Sequence, residues 1–83
     1  MHGPMTALTH CTDVASVRSE LHALCSDFGS VSRMNILPAP DAGKRRLVCF
    51  IRLASPEQEY QMMRQLGVER FGNDLFMVLD LAN

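Results

Sequence analysis

Between Arg46 and Leu53 the chain alternates without a break, with Leu47, Cys49, Ile51 and Leu53 on one parity and Arg46, Val48, Phe50 and Arg52 on the other. Successive side chains of a β-strand point to opposite faces, so this is a strand with one wholly apolar face. Such a strand constrains everything around it. It needs neighbouring strands for its backbone groups and a layer of helices over its apolar side.

The rest of the chain offers both. Val14, Val17, Leu21, Leu24, Cys25 and Phe28 recur at steps of 3, 4, 3, 1 and 3, one stripe of an α-helix. Thr12 or Asp13 can cap its first turn, and Gly29 is expected to stop it in the left-handed region. Ser55-Pro56 opens a second helix, the proline sitting where a missing N–H costs nothing, and Gly67 closes it. Tyr60, Met63 and Leu66 are its expected inward stripe. Val31 to Leu37 reads as a strand with Met34 and Ile36 on one face and Arg33, Asn35 and Leu37 on the other. Leu75 to Leu81 reads as the last strand, with Phe76, Val78 and Asp80 opposite its leucines. Met5 to His10 is expected to be the first strand. Val68 and Phe71 read as an apolar connector leading to a turn at Gly72-Asn73-Asp74.

The order strand, helix, strand, strand, helix, strand, with right-handed crossovers, predicts a ferredoxin-like α+β fold. It is a βαββαβ unit, a four-stranded antiparallel sheet with both helices on one face, spanning residues 5–81 as one domain. In that arrangement the last strand is placed at an edge beside the second, and the third beside the first. The uncovered sheet face is where function is expected.

Eighty-three residues leave no room for a second core. No apolar run approaches the ~20 residues of a membrane span. Three cysteines, an odd number scattered through regular elements, read as free thiols rather than a disulfide framework. With no basic-then-apolar leader at Met1 to Pro4, a cytoplasmic setting is expected. The net charge of −1 and pI near 6.2 argue mildly against tight nucleic-acid binding, which draws affinity from a basic excess.

At this level of detail the chain resembles the RNA recognition motif. Leu21-x-x-Leu24-Cys25-x-x-Phe28-Gly29-x-Val31 resembles that family's first helix and its exit. Met63-x-x-Leu66, Gly72 and Leu75-x-Met77 resemble its second helix, turn and last strand. The family's ribonucleoprotein motif, K/R-G-F/Y-G/A-F-V-x-F/Y, falls on Arg46 to Leu53. Arg46 keeps the basic first position, Phe50 the exposed aromatic and Ile51 the buried aliphatic. Val48 stands where a second exposed aromatic belongs and Leu47 replaces the glycine. On the first strand Leu8 takes the usual aromatic position, and no register from Met5 to Cys11 offers a ring. Base–aromatic stacking contributes ~1–3 kcal/mol per base, so the loss of two rings of three removes ~2–6 kcal/mol of binding.

The resemblance implies single-stranded RNA, or single-stranded DNA, bound weakly across the open sheet face. Phe50 would stack a base. Arg46, Arg52 and Arg33, with the Lys44-Arg45 loop, would meet phosphates. Val48, Leu8, His10 and Phe76 would complete the surface. A bare Phe50 has a plain alternative, cover by the Pro38–Gly43 loop or by the Asp80–Asn83 segment. The same apolar face also fits a protein partner or a second copy of the chain. An enzyme is not expected, for want of a nucleophile–base arrangement or a phosphate-cradling glycine loop. Nor is a cofactor. The Cys-x-x-Cys of copper carriers sharing this topology is missing. His22 and Cys25, three apart on a helix, fall short of the four ligands of a structural zinc site.

Overall fold

The computed structural model describes residues 6–82 of the chain. The fold is α+β, a four-stranded antiparallel sheet with two main helices on one face in a βαββαβ-like, ferredoxin-like arrangement. Its elements are α1 (Thr6–Thr9), α2 (Val14–Ser26), β1 (Val31–Pro38), β2 (Arg46–Leu53), α3 (Pro56–Leu66), β3 (Glu69–Phe71) and β4 (Asp74–Asp80). The sheet order is β1-β2-β4-β3.

β2 is buried on every second residue, as its alternation requires, and Leu47, Cys49, Ile51 and Leu53 join Leu75 and Met77 of β4 under the helices. From α2, Val17, Leu21 and Cys25 enter this core, and Met62 enters from α3. The caps explain where the helices begin. Asp13, in extended conformation, accepts the Ser16 amide at 2.7 Å, a bond that holds its carboxyl below the usual carboxylate range. Ser55 does the same for Gln58, ahead of Pro56. Gly67 ends α3 with φ 72°, a left-handed turn that a side chain would strain.

Four local expectations are overturned. First, the strand expected over Met5–His10 is not one: Thr6–Thr9 is a helical turn, and Met5 lies outside the described residues. The cause is spacing. Leu8 and Cys11 are three apart, so a helical turn buries both in the core, whereas a strand would have put Leu8 on the parity of His10. Second, the place that strand would hold in the sheet is taken by the hairpin β3–β4. Glu69–Phe71, expected to be a connector, pairs with β4 across the two-residue turn Gly72-Asn73. β4 therefore runs through the middle of the sheet beside β2, not along an edge.

Third, α3 is rotated from the expected stripe. Tyr60 is exposed, with Arg64 5.7 Å above its ring, while Glu59 and Met62 are buried. A buried carboxylate has to be satisfied, and Glu59 accepts the Leu53 amide at 2.9 Å and the Arg70 guanidinium at 3.1 Å. That double contact fixes which side of α3 faces the sheet and ties β3 down to it. Fourth, Gly29 is not left-handed: the cap of α2 is Asp27. The space at Gly29 is filled instead by the end of the Gln58 side chain of α3, which would have to swing aside for a Cβ.

Candidate functional site

The face of the sheet away from the helices is ordered in rows by the strand register. Phe50 of β2 lies directly across from Phe76 of β4, with Asn35 on its other side and Glu69 beyond Phe76. The Phe50 and Phe76 ring centroids are 5.6 Å apart. Phe71 of β3 closes a triangle with them, 6.1 Å from Phe50 and 5.7 Å from Phe76. Rings at these separations and tilts attract one another through their edges and faces. Phe71 is also 65% exposed, the outermost of the three. A platform of three rings thus stands where the sequence alone offered one secure aromatic.

One row toward the β3–β4 turn, Arg33 and Arg52 are cross-strand partners. Like charges in that position repel, and Asp74 of β4 relieves the repulsion. Its carboxylate accepts Arg33 Nη2 at 2.7 Å and Arg52 Nε at 3.1 Å. On the other side of the rings, Leu37, Val48 and Val78 are aligned across three strands, with Leu37 and Val78 exposed. Beyond them Arg46 donates to Asp80 at 3.0 Å and to Asp41 at 3.2 Å. The Asp80 hydrogen bond, reinforced by the charges of Asp80 and Asp41, holds that guanidinium protonated even more firmly than usual.

Neither the 38–43 loop nor the described part of the 80–83 segment lies over Phe50. The chain after Pro38 prolongs the β1–β2 hairpin, with the Ala39 amide on the Arg46 carbonyl and a bridge between Asp41 and Lys44. The C-terminal residues turn toward the other layer, Leu81 bonding to Arg45 and Ala82 to the Cys11 carbonyl, and Asn83 lies outside the described residues. Phe50 instead lines an open depression of about 440 Å³ together with Arg33, Asn35, Arg52, Phe71 and Asp74.

No family model, curated protein or solved structure matches the chain.

Of the residues expected at this face, Phe50, Phe76, Val48, Arg33, Arg46 and Arg52 are brought together. Leu8 is not, being 2% exposed in the core. His10 follows α1 and is exposed on no strand. Arg45 shares the parity of Leu47 and donates instead to the Thr12 carbonyl at 2.7 Å, pinning the start of α2, and to that of Ala82. Lys44 is exposed at the tip of the hairpin, away from the rings. His22 is exposed while Cys25 is buried, and among the described residues no three His, Cys, Asp or Glu side chains gather as metal ligands. The residue missed was Phe71. Its signal was present: Gly-Asn between Phe71 and Asp74 is a two-residue hairpin dipeptide, and a hairpin would have put Phe71 on an edge strand.

Proposed function

We propose that the open sheet face binds single-stranded RNA, with bases stacked on Phe50, Phe71 and Phe76. The observation that carries this reading is the ring triangle on an uncovered sheet. A stacking surface of this kind suits unpaired bases, which alone can be splayed against it. The resemblance to the RNA recognition motif points the same way. Affinity is expected to be modest, because the three arginines of the face all carry aspartate partners and the chain has no basic excess. At ~1–3 kcal/mol per stacked base, the one or two bases that fit across the three rings give micromolar or weaker binding once ordering costs are met.

A second reading is favoured by the Leu37–Val48–Val78 row. Exposed aliphatic residues beside paired arginines also suit a protein partner, or a second copy of the chain. Salt separates the two. Anisotropy of a labelled ten-nucleotide strand, measured from 50 to 300 mM salt, should show weakening affinity, and Phe50→Ala and Phe71→Ala should each weaken it further. Self-association that persists in high salt, with no anisotropy change at millimolar protein, would favour the protein interface and refute the RNA reading.

A further inference from the structure

The guanidiniums of the open face are unevenly committed to carboxylates, and the imbalance limits how much of a strand it can hold. At the Phe71 end two guanidiniums, Arg33 and Arg52, share one carboxylate, Asp74, with Glu69 exposed one row away beyond Phe76. At the opposite end one guanidinium, Arg46, faces two carboxylates, Asp80 and Asp41, leaving one net negative charge. Lys44, across from Asp41 in the hairpin, brings that end only to neutrality. Between them the Leu37–Val48–Val78 row offers no donor.

The Arg33–Arg52 pair is anchored on one carboxylate. Asp74 is almost buried, with its side chain 13% exposed, and holds Arg52 by Nε and Arg33 by Nη2. Each guanidinium spends one of five N–H donors in this way. Nη1 and Nη2 of Arg52, and Nε and Nη1 of Arg33, remain for an incoming oxyanion. They border the same depression as the half-buried ring of Phe50 and the exposed ring of Phe71. A phosphate attached to a base stacked there meets two guanidiniums already drawn together by Asp74, an arrangement that suits an oxyanion.

We infer that Arg33 and Arg52 form a clamp for one phosphate, so that the face takes one phosphate with the one or two bases attached to it and not a strand running the length of the sheet. This rests on the RNA reading above. The phosphate comes either from a nucleotide with a terminal phosphate or from one phosphodiester within a strand.

The full chain is titrated by NMR with adenosine, adenosine 5′-monophosphate, the dinucleotide ApA, and a ten-nucleotide A/C strand lacking terminal phosphates. The expected result is a tenfold or greater gain on adding the first phosphate. Less than a threefold gain should follow from lengthening ApA to ten nucleotides, after correction for overlapping registers. The slope of log K against log salt should be about −0.7, that of one phosphate of a single strand. Arg33→Gln should abolish the first-phosphate gain and Arg46→Gln should leave it. A preference for the monophosphate identifies a terminal group as the source and a preference for ApA a phosphodiester; either supports the clamp. A tenfold gain from length, or a slope steeper than about −2, overturns it. Binding of the bases with no effect of phosphate overturns the clamp alone. Failure of all four ligands to bind overturns the RNA reading with it.

Discussion

The ring platform depends on a contact on the opposite side of the sheet, and that contact can be tested. Glu59 joins α3 to the end of β2 through the Leu53 amide and to β3 through Arg70, the residue before Phe71. Replacing Glu59 with alanine leaves the Leu53 N–H without a partner in a buried position, at a cost of about 1–3 kcal/mol. The ion pair adds little, because the Arg70 side chain is 35% exposed and the interaction is screened; it contributes about 0.2–1 kcal/mol. Glu59→Ala should therefore lose about 1–4 kcal/mol. Glu59→Gln keeps an oxygen for the Leu53 amide and should lose only the ion-pair share, about 1 kcal/mol or less. Urea unfolding followed by far-ultraviolet circular dichroism gives both values, and an unchanged m-value confirms that the fold unravels as one unit. Glu59→Ala within about 0.5 kcal/mol of the wild type, or glutamine as damaging as alanine, would contradict this role of Glu59.

Three further outcomes follow from the same structure. Leu8→Ala should destabilise by about 2–5 kcal/mol as a core truncation, measured by the same urea titration; a Leu8 lying on the sheet surface would cost little. Burial raises the thiols of Cys25 and Cys49 from 9.0 to about 11, so both should resist alkylation at pH 8 in the folded protein. Because the folded state keeps its protons longer than the unfolded one, their contribution to stability should be intact below pH 9 and fall between pH 9 and 11, which thermal melts across that range will show. Phe71→Ala, at a largely exposed position, should weaken RNA binding by about 1–3 kcal/mol while shifting the unfolding midpoint far less than Leu8→Ala.

The strict alternation of β2 and the stripe of α2 were legible in the sequence because each has one period and one buried side. Leu47, Cys49, Ile51 and Leu53, with Val17, Leu21 and Cys25, are buried where that periodicity puts them, whereas Val14 at the head of the α2 stripe is exposed. Three features were not legible, each for its own physical reason. Leu8 and Cys11 are too few to tell a period of two from one of three, and the core they complete is made by distant residues. The orientation of α3 depends on Glu59, whose burial is tolerable only because Arg70 and the Leu53 amide arrive from elsewhere in the chain. The ring triangle follows from β4 taking the middle of the sheet, which the order of elements does not dictate. Parity put Phe50 on the open face, where its ring is half-buried against Phe71 and Phe76, and those neighbours are placed by register across strands. The arginines illustrate the same limit. Parity put Arg33, Arg46 and Arg52 on the open face, but only the fold reveals that Asp74, Asp80 and Asp41 partner them.

The most direct test of the RNA reading watches the rings themselves. Ring-proton resonances of Phe50, Phe71 and Phe76 are followed while a short single-stranded RNA is added at 50 mM salt. Stacking of bases predicts upfield shifts at all three rings that saturate together, with the Leu21 and Ile51 methyl groups of the core undisturbed. Rings that stay fixed at millimolar RNA, or shifts confined to residues away from the platform, would contradict it.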